Sequence, residues 1–248
     1  MGAPQLLAAA VISVAAAFVT QVPPSAGSPD PRLVAVRELL RESRFEEAEP
    51  VARAWVRDRA DDPRAGFYLG LVLHKAKRHG EAKAFLERAA AAPAGAFPEA
   101  VHASHYLGWC LYYLGDLDGA KASFTVHARA FPRYDDDQFA LGIIAYDEDR
   151  LDDAESRFRL AIELLGAAGA PKERAKNLAR LGDVLLRRDR LADAEACYRA
   201  AIRLHEMNGE AWSKLARVLD RQGRADEAQA TRARQAELKS RADAGSAP

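Results

Sequence analysis

The chain lacks net charge: 36 Lys and Arg stand against 36 Asp and Glu. A general polyanion binder carries a basic excess, so no nucleic-acid partner is expected. Only two cysteines occur in 248 residues, which excludes a disulfide-stapled scaffold. Disorder and collagen-like repeats are excluded by a composition that is 49% hydrophobic and 29% charged. No apolar run reaches the roughly 20 residues of a membrane span. There is no Gly-rich phosphate loop, nucleophile elbow or C-x-x-C pair, and His205-Glu206 has Gly209 where a zinc motif needs its second histidine. No enzyme, catalytic residue or cofactor is expected.

Charge is also missing locally. No Asp, Glu, Lys or Arg precedes Asp30. That stretch holds an apolar run, Leu6 to Val19, broken only by Ser13, followed by Pro23, Pro24 and Pro29. Its length suits the core of an export signal, about 7–15 residues. Met1 to Gln5 carries no basic residue, and Ala15-Ala16-Ala17, of cleavage-site form, lies inside the run. Export to the periplasm or beyond is the expectation. An uncleaved anchor is the second reading; Arg32, Arg37 and Arg41 would then favour a cytoplasmic C-terminal side. A bland extension on a cytoplasmic protein is the third. Residues 1–28 are assigned to this leader and spacer, 29–240 to the body, and 241–248 to a flexible tail.

What the body has is a repeat. Leu-Gly pairs stand at Leu69-Gly70, Leu107-Gly108, Leu141-Gly142 and Leu181-Gly182. Twelve residues after each Gly comes Ala82, Ala120, Ala154 or Ala194, and four later Leu86, Phe124, Phe158 or Tyr198. Three further on are Ala89, His127, Ala161 and Ala201. A last copy runs from Trp212 through Leu215, Ala216 and Leu219 to Ala228, and a weaker first one holds Ala35, Val36, Leu39 and Ala48. Apolar residues recur at three and four, the helical period. Gly or Asp at mid-copy, as in Leu114-Gly115-Asp116, divides each copy into two helices. Small residues let antiparallel helices approach, and the large residue is expected to fill the space between neighbouring pairs. Extra residues near Ala90–Pro98 and Leu164–Pro171 read as loop extensions.

This pattern resembles the tetratricopeptide repeat family, with its 34-residue signature W-x2-L-G-x2-Y…A-x3-F…P. The resemblance covers six copies and implies an all-α solenoid of helix-turn-helix repeats. Only the last copy has the tryptophan, Trp212, and Leu73, Leu111, Ala145, Leu185 or Leu219 replaces the tyrosine. Ala52 and Arg232 replace the late aromatic in the end copies. Cys110 and Cys197 fall in non-adjacent copies, too far apart to bridge, and read as reduced packing residues.

In that family the first helix of each pair lines a concave groove. The resemblance then places Phe67, Tyr68, His105, Tyr106, Trp109, Tyr112, Tyr113, Phe139 and Tyr146 along its middle, with Arg180, Arg187 and Arg217 in a mildly basic C-terminal half. Eighteen groove positions of copies two to four hold eight of the chain's 19 aromatics. Contiguous exposed rings mark binding surface; the alternative is that several tuck into seams between repeats. His105 would add pH sensitivity. With only Asn177 and Asn208, an asparagine ladder for peptide backbone is excluded. A carboxylate clamp is absent too, because the early groove carries Leu33, Val34 and Arg37, then Phe67, Tyr68 and Leu71.

The leading expectation is therefore a non-catalytic scaffold that holds a protein or peptide segment, in a cell-envelope setting. One alternative is a metal- or small-ligand-binding protein using His74, His102 and His105, with Glu99 as a fourth group. The other is a module that self-assembles through its end repeats. Asp135–Asp137 and Asp147–Asp153 lack calcium-loop spacing and read as helix starts and turns.

Overall fold

The computed structural model describes residues 30–93, 95–166 and 170–245. The leader, residues 1–28, lies outside them. Among the described residues there is no strand, and no helix is long and apolar enough to cross a membrane. The described residues hold twelve α-helices, which form six antiparallel pairs. They divide into two units, one ending at Ala130 and the other beginning at Phe131.

The first unit pairs α1 (Pro31–Arg41) with α2 (Phe45–Asp58), α3 (Pro63–Lys75) with α4 (His79–Ala90), and α5 (Ala103–Tyr113) with α6 (Leu117–Ala130). The second pairs α7 (Asp135–Asp147) with α8 (Leu151–Leu165), α9 (Pro171–Arg187) with α10 (Leu191–Leu204), and α11 (Gly209–Arg221) with α12 (Ala225–Gly245). Each unit is a run of the helix pairs expected from the repeat. One boundary differs: α12 continues to Gly245, into residues assigned to the flexible tail.

The helix starts follow from the sequence. Asp30, Asp62 and Asn208 cap α1, α3 and α11, each accepting from a backbone N–H, and Pro31 and Pro63 take the first helical positions. Asp135, Asp136 and Asp137 lie in the first turn of α7, where carboxylates oppose the helix dipole.

All six intra-pair turns share one device. A residue with positive φ stands at Ser43, Lys77, Gly115, Asp149, Asp189 and Gly223. The next N–H then reaches back five residues, as from Arg78 to the Leu73 carbonyl (2.8 Å) and from Asp116 to Leu111 (3.0 Å). This is a Schellman closure, which satisfies carbonyls the helix end leaves open. Glycine supplies the left-handed conformation without steric cost only at Gly115 and Gly223.

Packing within a pair explains the Leu-Gly repeat. A Cβ on Gly108 would sit 2.9 Å from the Phe124 ring, one on Gly142 2.9 Å from Phe158, and one on Gly182 2.7 Å from Tyr198. Gly70 meets Leu86 in the same way at 2.8 Å. The large residue thus lies on the glycine of its own pair. Ala82, Ala120, Ala154 and Ala194 are fully buried one helical turn before it. In the first pair bulk moves one turn along, to the buried Trp55, which stacks on Tyr68 of the next pair at 6.0 Å.

An ion ladder joins successive pairs. Glu49 on α2 accepts from Arg53 on its own helix (2.8 Å) and from Arg78 at the start of α4 (2.6 Å). Glu155 on α8 meets Arg159 (2.8 Å) and Arg190 (3.0 Å), and Glu195 on α10 meets Arg199 (2.9 Å) and Arg224 (2.7 Å). Each bridging Arg also holds an acid three residues on: Glu81, Asp193 or Glu227. Burial pushes the Glu195 carboxyl up, but hydrogen bonds from Arg199, Gln222 and Arg224 outweigh it and hold the group below its ordinary value. A depressed carboxylate contributes stability above its unfolded pKa, and that contribution is lost as pH falls through the folded value. Glu195→Gln should therefore be less stable at pH 7 than the parent, with a shallower loss on acidification. Parallel stability profiles between pH 7 and 3, followed by circular dichroism in urea, would show that the ladder contributes nothing.

Candidate partner-binding surface

The expected groove positions fall in both units and are taken unit by unit. In the first, Phe67 and Tyr68 on α3 and His105 on α5 are 2%, 4% and 4% exposed. They are packing residues, not surface. The reason lies in the extension after α4, which folds into a 3-10 turn, Pro98–His102. Buried Phe97 closes over Phe67 with ring centroids 5.7 Å apart. Glu99 pairs with Arg64 at 3.0 Å and accepts from the Tyr68 hydroxyl at 2.9 Å. Both contacts fall on Glu99 Oε1. His105 lies against Phe124 and His127 (ring centroids 5.7 and 5.1 Å), too deep to act as a pH-sensitive partner contact.

What remains accessible is one strip on α5. Tyr106, Trp109 and Tyr113 recur at three and four, so they share a face, with Tyr112 beside them. Trp109 is flanked edge-on by Tyr112 at 5.9 Å and stacked by Tyr113 at 6.0 Å. Its base rests on Phe124 at 5.2 Å. Tyr106, Trp109 and Tyr112 are half-buried, whereas Tyr113 is 58% exposed and the neighbouring Leu114 is exposed as well. The imidazole of His79, from the start of α4, stacks under Tyr113 at 4.4 Å, and the Lys75 ammonium stands 5.8 Å from the Tyr106 ring.

Histidines in this unit form two groups, not one. His102 Nδ1 lies 2.9 Å from His127 Nε2, with His105 beside that ring. His74 sits apart with His79 and Cys110. The trio His74, His102 and His105 does not gather as one set of ligand atoms: His74 groups with His79 and Cys110, and His105 with His127. Burial, then the charge of Lys75, push His74 down to about 4. Cys110 is buried, Cys197 partly so, and both are free thiols.

In the second unit Phe139 is 4% exposed, packed on Phe158 at 5.8 Å and covered by the Lys176 ammonium at 3.8 Å. It too is core. Tyr146 is half-buried under the Arg187 guanidinium, 4.9 Å from its ring. Arg187 also pairs with Asp149 at 3.3 Å, and Arg180 with Asp183 at 3.2 Å and Glu210 at 3.6 Å. Lys214 holds Asp183 at 2.6 Å and Glu210 at 2.7 Å. The basic half is therefore largely neutralised inside the unit, because acids on the same helix faces pair with it. Arg217 remains exposed.

One feature was missed in the sequence. Met207, Trp212, Arg232, Gln235 and Leu238 line a cleft of about 410 Å³ between α11 and α12. Met207 is exposed there, and Trp212 donates its indole N–H to the Glu206 carbonyl at 2.8 Å. In the sequence Trp212 stands only as a mark of the repeat.

Comparison with known proteins supports the fold. A profile described as tetratricopeptide repeat matches residues 33–96 and 179–247. Among solved structures, MamA of strain MSR-1 superposes with a TM-score of 0.55 at 22% identity, over 70% of this chain and 94% of its own. Pseudomonas aeruginosa pilF gives 0.61 at 19%, over 73% and 78%. Yeast Tom70 gives 0.61 at 19%, over 77% of this chain and 39% of its own. No curated protein matches the sequence significantly.

Proposed function

Because this chain belongs to the tetratricopeptide repeat family, we propose that it is a non-catalytic scaffold whose α5 strip takes a segment of a partner protein. The strip is the observation that carries this reading. Four aromatic residues on one short helix, ending in the exposed Tyr113 and Leu114, offer large contact area with few rotatable bonds. The rings are held by one another and by Phe124, so little ordering is needed on binding. Core packing accounts for Phe67, Tyr68 and Phe139. It does not account for the exposure of Tyr113.

The uncharged leader supports export, and with it a role in the cell envelope. The mass of the mature chain tests this. Loss of the first residues is the expected result, and an intact Met1 on cytosolic protein would refute export. Partner binding is tested by affinity capture with the full chain beside Tyr113→Ala. Capture should fail in the variant.

A further inference from the structure

His74 closes α3 and His79 opens α4, so the turn between them brings the two imidazoles within 5.3 Å. Cys110 comes from α5 in the next pair and lies with its Sγ 3.5 Å from His74 Nδ1. One donor atom from each of the three lies within 4.8 Å of the others. We propose that His74, His79 and Cys110 form a site for a transition-metal ion of the zinc or copper class, with the remaining coordination position open to water.

The spacing is that of ligands. On a tetrahedral zinc, nitrogen at about 2.05 Å and sulfur at about 2.3 Å stand roughly 3.6 Å from each other. The His74–Cys110 separation already has that value within about 0.1 Å. A donor atom of His79 lies within 4.8 Å of both. Its Nδ1 is buried with no hydrogen-bond partner, a costly state that coordination by this ring would help to relieve. Two imidazoles and one thiolate match zinc or copper, not calcium or magnesium, which take oxygen donors.

Binding must displace the Cys110 thiol proton, which burial holds on the sulfur. A metal ion replaces that proton: the S–H bond breaks, a metal–sulfur bond forms, and one proton leaves to solvent. The ligands come from two helix pairs, so the ion would tie α5 to the α3–α4 turn. The inference stands without the partner reading, since no ring of the α5 strip is a ligand.

Titration of the full chain with Co²⁺, a spectroscopic substitute for zinc, and in parallel with Cu²⁺ tests the site. The expected result is one ion per chain, a thiolate-to-metal charge-transfer band, and a melting temperature raised by saturating Zn²⁺. A thiolate band with copper but not cobalt assigns the same ligands to copper. Cys110→Ser should remove the band, and His79→Gln should weaken binding at least tenfold with unchanged circular dichroism. His205→Gln, in the other unit, should bind as the parent does. If Cys110→Ser fails to fold, His79→Gln decides alone, because its ring is only half-buried. Absence of a thiolate band with both ions, or parental affinity in His79→Gln, would overturn the proposal.

Discussion

Gly182→Ala is expected to destabilise the second unit by about 1–3 kcal/mol, while Gly66→Ala stabilises the first by about 0.5–1 kcal/mol. Both glycines lie inside helices, α9 and α3, where alanine is intrinsically preferred by about 1 kcal/mol. Their surroundings set the sign. At Gly66 the nearest atom to an added Cβ is the Phe85 carbonyl oxygen at 3.9 Å, an ordinary contact. At Gly182 the Cβ would stand 2.7 Å from Tyr198 Cε1 and 2.9 Å from its Cζ. That ring has nowhere to go. It is fully buried, and its hydroxyl donates to Asp183 Oδ1 at 2.7 Å. Asp183 is fixed in turn by Lys214 at 2.6 Å. Urea unfolding of the two variants beside the parent measures both effects. Gly142→Trp goes further and should disrupt the α7–α8 pair and loosen α9, since Phe158 occupies the space the indole would need. Unchanged cooperative melting of that variant would contradict the register described for the repeat.

Tyr113→Ala should weaken partner binding by about 2 kcal/mol, roughly thirtyfold, at nearly unchanged melting temperature. The two readouts separate because Tyr113 lies at the end of α5 with most of its ring in solvent. Trp109→Ala with Tyr112→Ala is a weaker test. The Trp109 ring rests on Phe124 at 5.2 Å, so its removal leaves a cavity against α6. That double variant should lose both binding and stability, and loss of stability alone would explain failed capture. Calorimetry with an identified partner, beside a thermal melt of each variant, distinguishes the cases.

The helix pairs were legible because their cause is periodic. A glycine facing a large residue in its own pair recurs at Gly70, Gly108, Gly142 and Gly182, and a close approach leaves that trace in any single chain. The left-handed turn residues were less legible, since Ser43, Lys77, Asp149 and Asp189 serve where glycine does elsewhere. The proposed binding surface was legible in part. Helical spacing puts Phe67 and Tyr106 on related faces, but spacing cannot show what folds over them. Phe97 and Glu99, in a segment that read as a plain loop, are what bury Phe67 and Tyr68. The charge of the basic half was illegible for a similar reason. Spacing places Arg180 there but does not reveal that Lys214 and Arg180 share Asp183 and Glu210. The His74–His79–Cys110 cluster needed the turn and the next helix pair together, and nothing in one repeat signals it.

The most direct test of the partner surface uses position-specific photo-cross-linking in the native cell. The full chain would carry a photoreactive side chain at Tyr113 on α5 or at Val126 on α6. The two positions are equally exposed, at 58% each, and lie on the two helices of one pair. A discrete protein adduct is expected from position 113 and none from position 126. Equal adducts from both, or an adduct from position 126 alone, would show that the α5 strip is not where a partner docks.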